Sequence, residues 1–253
     1  MGYQEINAKT VDGWVKAGWQ WGQPIDHATF AKAQRGEWQL LLTPTRPMPH
    51  DWLFADMRGK KVLGLAAGGG QQMPLMAALG ADVTVLDYAK AQLASERQVA
   101  EREDYAITIV RADMSQPLPF ADGAFDLIMQ PVANCYIEEV LPLWRECFRI
   151  LKPGGRLVVG LDNGINYLVD EQEEKIIQGL PYNPLKDAKL MASLDVAEDG
   201  IQFSHTLDEQ LRGQLQAGFQ FRDMYEDYNG SGRLDLLRIP TFWATCAEKP
   251  AVH

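Results

Sequence analysis

A chain of 253 residues, 46% hydrophobic and 23% charged, has the composition of a folded globular protein and the length of one α/β unit, which excludes a disordered or fibrous chain. Its 24 basic residues against 34 acidic ones leave a net charge of −10 with no Lys/Arg run, so small molecules are the expected partners, and nucleic acid and anionic membranes are not. Three cysteines, Cys135, Cys147 and Cys246, form no C-x-x-C pair, so no disulfide framework and no metal site is expected, and a reducing cytoplasm suits the chain.

Residues 1–10 have no apolar signal core. Five of the seven tryptophans (Trp14, Trp19, Trp21, Trp38 and Trp52) fall in residues 1–52, which read as a helical cap packed on the rest. Within it Asp26 to Arg35 reads as a short helix capped by Asp26 and ended by Gly36. Thr43 to Pro49 holds three prolines and reads as an extended connector. Val62 to Ala81 is twenty residues without a charge, but its five glycines and its change of period exclude a membrane span.

From Lys61 strands and helices alternate. Val62–Leu65 is a strand, Gln71–Leu79 a helix with Pro74 in its first turn, and Asp82–Leu86 a strand. Ala89–Glu103 is a charged amphipathic helix, followed by strands at Ile107–Val110 and Phe125–Met129. Glu138–Leu151 is a helix stopped by Pro153-Gly154-Gly155, and Arg156–Leu161 is the next strand. This rhythm predicts a parallel sheet covered on both faces, with ligands at the carboxyl ends of its strands. Residues 162–200, including an acidic helix over Asp170–Ile177, read as an insertion over the active-site edge. Strands at Ile201–Ser204, Phe219–Tyr225 and Thr241–Ala247 and a helix at Thr206–Gln216 complete the chain, predicted as a single domain over residues 1–253.

Gly68, Gly69 and Gly70 lie between a strand and a helix, where glycine permits close backbone approach and the helix N-terminus offers unpaired N–H groups. A G-x-G-x-x-G dinucleotide loop starting at Gly68 fails at Met73, which counts against an NAD-dependent oxidoreductase. Asp87 closes the second strand, where a carboxylate can accept from ribose hydroxyls or cap the helix that follows. Asp113 follows the third strand, where a carboxylate can accept from an adenine amino group or merely hold a turn.

The order of these features, with Phe125-Asp-Leu-Ile128 in the fourth strand and Leu151-Lys-Pro-Gly-Gly-Arg-Leu157 before the fifth, resembles the class I S-adenosylmethionine-dependent methyltransferases. The resemblance implies a Rossmann-like, doubly wound α/β sheet of seven strands in order 3-2-1-4-5-7-6, with strand 7 antiparallel. It implies S-adenosylmethionine as cofactor, with the glycine-loop positions on Ala66, Gly68 and Gly70. It also implies the ribose position on Asp87 beside Tyr88, the adenine position on Asp113 and Met114, and the methionine end near Gln130 and Pro131. Where the family usually carries an acid this chain has Gly64, so Gln71, Gln72 or a residue of the cap is expected to replace that contact. The family's base-methylating members carry an (Asn/Asp)-Pro-Pro-(Tyr/Phe) run after the fourth strand; here Gln130-Pro-Val-Ala133 stands instead, which disfavours nucleic-acid bases.

The expected reaction is in-line displacement of methyl onto a small molecule, with alignment and a dry pocket as the protein's main contributions. Candidate catalytic residues are His205, Tyr136 and Tyr182, with Asn134 positioning. Aromatic rings of the cap within about 6 Å of a sulfonium can shelter it. A cofactor-binding sensor without turnover is the alternative, motivated by Gly64 and Ala66. The acceptor and the oligomeric state have no motif.

Overall fold

The computed structural model describes residues 2–251; Met1, Val252 and His253 lie outside the described residues. In chain order, α1 (Tyr3–Lys16) and α2 (His27–Gln34) precede β1 (Lys61–Leu65), α3 (Gln72–Ala78), β2 (Asp82–Asp87), α4 (Lys90–Glu103), β3 (Ile107–Arg111) and β4 (Phe125–Gln130). Then come α5 (Leu141–Ile150), β5 (Leu151–Asp162), α6 (Ala188–Ser193), α7 (Gly213–Ala217), β6 (Gln220–Asp227), α8 (Gly232–Leu236) and β7 (Phe242–Glu248). The seven strands form one sheet in order β3-β2-β1-β4-β5-β7-β6. β1 to β5 are parallel, and β7 runs antiparallel to both β5 and β6. Among the described residues, no helix is long and apolar enough to cross a membrane; the uncharged run over Val62–Ala81 is β1, the glycine loop and α3.

Strand alternation sends successive side chains to opposite faces of the sheet. Val62, Val83, Val85, Leu127 and Met129 pack with Met73, Met76 and Trp52 on one face. Leu63, Leu65, Leu86, Ile128 and Leu157 pack with Trp144, Cys147 and Ile150 of α5 on the other. Gly64 lies on the first face, directly under α3. A Cβ built there would fall 2.8 Å from Cγ and Sδ of Met73, so the thioether occupies the space an acid would need.

The cap holds two helices: α1 forms although no side chain caps it, because α4 holds it from outside, with Ala91 N donating to Asp12 Oδ1 at 2.7 Å. α2 is as predicted, with Thr29 N donating to Asp26 Oδ1 at 2.8 Å. The proline-rich connector folds back instead of extending: Leu41 pairs with Pro47, and Thr45 N and Arg46 N donate to Asp227 Oδ2. α5 begins at Leu141, with Pro142 in its first turn, and Glu138 N donates to Tyr3 Oη. β5 begins at Leu151, so Pro153-Gly154-Gly155 bends a strand already under way.

Asp170–Ile177 is not helical. Asp170 Oδ1 accepts from Glu174 N and Lys175 N, local bonds that compete with helix formation, and Val169 bridges Ile176. Residues 201–204 are no strand, because Ile201 N donates to Asn7 Oδ1, Phe203 N to Cys135 O and Ser204 N to Tyr182 O rather than to a sheet. The predicted helix at Thr206–Gln216 opens with a π-wound turn over Asp208–Arg212 before α7.

Candidate functional site

A cavity of about 380 Å³ sits at the carboxyl ends of β1 to β5. Ala66, Gly68, Gln71, Gln72, Asp87, Tyr88, Asp113, Met114, Pro131 and Tyr136 line it, so ten of the positions expected from the sequence meet in one place. Gly64, Gly70, Gln130, Asn134, Tyr182 and His205 are not in its wall.

Several wall residues owe their place to a strand end. Ala66 follows β1 with φ +47°, a left-handed conformation uncommon for a residue with a Cβ, and Ala66 N donates to Leu86 O at 2.8 Å. Strain of this kind collects at ligand sites when the surroundings hold it. Asp87, the last residue of β2, takes Gly68 N on Oδ2 at 3.1 Å and Ala89 N on Oδ1 at 2.9 Å. It therefore ties the glycine loop to the start of α4 and retains acceptor capacity on both oxygens. Burial is the largest influence on its carboxyl and pushes it up to about 6, against the opposing pull of those backbone N–H groups. Tyr88 Oη donates to Glu5 of α1, and Arg111 stacks over the Tyr88 ring at 4.7 Å. Asp113 Oδ1 accepts from Ser115 N at 2.8 Å.

The glycine loop is clamped by the cap. Ile25 N donates to Gly70 O at 2.9 Å, and Gln71 Nε2 donates to Gln20 O and Gln23 O. Gly69 has φ +103°, and a Cβ there would fall 2.5 Å from Trp21 O. Behind the loop, Gly70 N donates to Glu96 Oε1 at 2.8 Å, while Glu96 Oε2 has no partner among the described residues. Full burial pushes the Glu96 carboxyl up to about 8. Gln71 is therefore committed to the cap. Gln72 Nε2 donates to Leu41 O at 3.2 Å, and its side chain lines the cavity.

The remaining candidates form a buried polar chain beside the cavity. Gln130 Nε2 donates to Asn134 Oδ1 at 2.8 Å and Asn134 Nδ2 donates to Gln210 Oε1 at 3.0 Å, which engages both ends of the Asn134 amide. His205 Nε2 lies 3.0 Å from Asn134 O, and burial lowers its pKa, so the ring is neutral at neutral pH. His205 and Tyr182 face a separate cavity of about 330 Å³ shared with Glu138 and Glu209. Tyr136 lines the main cavity, and burial drives its phenol well above 10.

Trp19 and Trp21 are the rings the cap contributes to the wall, and residues not expected from the sequence complete it: Gln92 from α4, Cys135 from the turn after β4, and Asp162, Tyr167 and Phe242 from the β5–β7 end. Asp162 was detectable, because it ends the fifth strand as Asp87 ends the second. The structural arrangement offers carboxylates for hydroxyl and amino donors at one end and aromatic and apolar faces at the other.

Residues 63–159 match a family described as a methyltransferase domain. The chain is 38% identical over 231 residues to the uncharacterized methyltransferase YbaJ of Bacillus subtilis (strain 168), covering 88% of this chain and 90% of that protein. It is 34% identical over 105 residues to a demethylmenaquinone methyltransferase of Clavibacter sepedonicus, covering 42% of each. An S-adenosylmethionine-dependent methyltransferase structure from Mesorhizobium loti shares the fold, with TM-score 0.62 and 22% identity over 78% of this chain and 94% of that one. So does geranyl diphosphate C-methyltransferase from Streptomyces coelicolor A3(2), solved with S-adenosyl-L-homocysteine, with TM-score 0.60 and 17% identity over 98% of both chains.

Proposed function

The chain belongs to the class I S-adenosylmethionine-dependent methyltransferases, and we propose that its methyl acceptor is a small molecule bound in the strand-end cavity. The observation that carries this is the wall the cap supplies: α1, Trp19, Trp21 and residues 41–44 line the cavity, around a volume of about 380 Å³ that suits a small molecule. The net charge of −10 supports the same reading against nucleic acid.

The donor set fits the cofactor: a strand-end carboxylate with spare lone pairs, a strained loop residue facing the chamber, and a second carboxylate after β3. When bound, the cofactor supplies a methyl group made electrophilic by a sulfonium. Asp87 is assigned to accept from the ribose hydroxyls, and Asp113 with the Met114 N–H to face the adenine. Gly64 leaves no carboxylate for the ammonium, and the Gln72 carbonyl oxygen takes that place. Gln130, buried behind Pro131, orients Asn134 and the turn after β4. Trp19, Trp21 and Tyr136 exclude water and present ring faces to positive charge. All three cysteines are free and buried, which supports a reducing cytoplasm as the working compartment.

Thermal unfolding with S-adenosylhomocysteine, with NAD as control, tests the assignment. At a hundredfold over the dissociation constant the product should add about 2.7 kcal/mol of apparent stability. A shift with NAD and none with S-adenosylhomocysteine would sink it.

A further inference from the structure

At the β5–β7 end of the cavity, Asp162 closes β5 and pairs in register with Phe242, the first residue of β7. Its side chain is 6% exposed and lines the cavity with Tyr167, Phe242, Cys135 and Tyr136. Gly164 N donates to Oδ1 at 2.6 Å, and no hydrogen bond among the described residues engages Oδ2. Sheet order places this end beyond β4, on the side away from the glycine loop, Asp87 and Asp113. Tyr167 is held from behind by stacking on Tyr182 at 4.8 Å and by its hydroxyl bond to Gln202 Oε1 at 2.8 Å.

The charges of the wall restrict what can sit there. The cavity is lined by Asp87, Asp113 and Asp162, and among the described residues by no Lys, Arg or His side chain. A carboxylate or phosphate acceptor would bring further negative charge into a poorly solvated chamber without a counterion. The ring faces of Tyr136, Tyr167 and Phe242 suit a flat apolar body.

We infer that this end holds the acceptor, that it takes a flat molecule without negative charge whose nucleophilic oxygen carries a proton, and that Asp162 receives that proton. The inference rests on the methyltransferase reading above. In the transfer the acceptor oxygen forms its bond to the methyl carbon as the carbon–sulfur bond breaks. The bonding pair stays on sulfur as a neutral thioether, and the acceptor's proton passes to Asp162 Oδ2 and then to solvent. Burial raises the Asp162 carboxyl to about 7, so it is ionised in a large fraction of molecules at neutral pH and is a competent base there. The groups facing it are Cys135 and Tyr136 from the turn after β4 and Tyr167 from the turn after β5. Burial drives all three far above neutrality, so they keep their protons and leave Asp162 the group that exchanges one.

The test uses the full chain with S-adenosylhomocysteine and three probes built on one flat ring system: 2-naphthol, 2-methoxynaphthalene and 2-naphthoate. Calorimetry should show 2-naphthol binding about tenfold or more tightly than the other two, a preference reduced to near unity in Asp162→Asn. The variant keeps an oxygen for Gly164 N and should bind S-adenosylhomocysteine as the unaltered chain does. If Asp162→Asn fails to fold, the unaltered chain still decides: its affinity for 2-naphthol should climb as pH rises through about 7 and then level off. Equal binding of 2-naphthoate, no binding of 2-naphthol, an unchanged affinity in Asp162→Asn or a flat pH profile would each overturn the subsite. Failure to bind S-adenosylhomocysteine would instead remove the cofactor reading on which it stands.

Discussion

At the ends of β1, β2 and β3 the cavity wall is made of backbone amides and carboxylates already bonded to one another; at the ends of β5 and β7 it is made of ring faces around a single acid. In the first region Gly68 N and Ala89 N both donate to Asp87, a triangle fixed within the protein itself. The second has Asp162 with one oxygen committed and one open. A ligand with many hydroxyl and amino donors suits the first, and a ligand selected by shape and one proton suits the second. The contrast teaches that one sheet edge can carry a pre-bonded polar wall and an aromatic wall around one acid side by side, separated by β4.

The largest test of that division is Gly64→Glu, which would put an acid of the usual family type into the polar region. Its Cβ would meet Met73 at 2.8 Å and its charge would be buried without a partner, so stability should fall by about 3–5 kcal/mol in urea unfolding. Unchanged stability with tighter S-adenosylhomocysteine binding would show that the thioether yields and that Gln72 is not the substitute.

The next effect concerns protons. Asp87, Asp162 and Glu96 all have folded pKa values above their unfolded ones, at about 6, 7 and 8. The folded state then binds the extra protons, so stability declines as pH rises from about 4 to 8 and levels above that. Glu103, Glu146, Asp126 and Asp227 are lowered instead, chiefly through the N–H and hydroxyl bonds and ion pairs that outweigh their burial, and their contribution is lost in stronger acid. Glu96→Gln should remove part of the decline, on the order of a few kcal/mol, in melts run from pH 5 to 8.5. An identical slope would show that the acid behind the glycine loop is already charged.

These tests lean on residues of unequal visibility. Lys61 to Leu161 was legible because glycine and aspartate fall at strand ends, where local rules and the ligand's needs coincide. α1 was not, since its support is the Asp12 bond to α4 and the Asn7 bonds to Ile201, contacts that no local pattern encodes. The acid-rich stretch at 170–177 misled because Asp170 satisfies neighbouring N–H groups itself. The Gln130–Asn134–Gln210 chain escaped because the π-wound turn that brings Gln210 inward has no sequence signature.

Asp87→Ala should weaken S-adenosylhomocysteine binding by about 1.5–3 kcal/mol if both ribose hydroxyls depend on it, as calorimetry would read. An unchanged dissociation constant would leave Asp87 only its ties to Gly68 and Ala89. The smallest expected effect is Gln71→Ala, which removes the two bonds from the loop to the cap at Gln20 and Gln23. It should cost about 1 kcal/mol of stability while sparing the aromatic region, and increase cleavage of the cap by protease.

The placement of Trp19 and Trp21 in the chamber wall has an optical consequence. Two of the seven indoles sit where a ligand would displace solvent, and Trp14 packs on Trp19 with ring centroids 5.3 Å apart. Occupancy of the chamber should therefore change the emission of this cluster while Trp144, fully buried under the opposite face, stays constant as an internal reference. The chain carries its own fluorescent indicator, readable without a label.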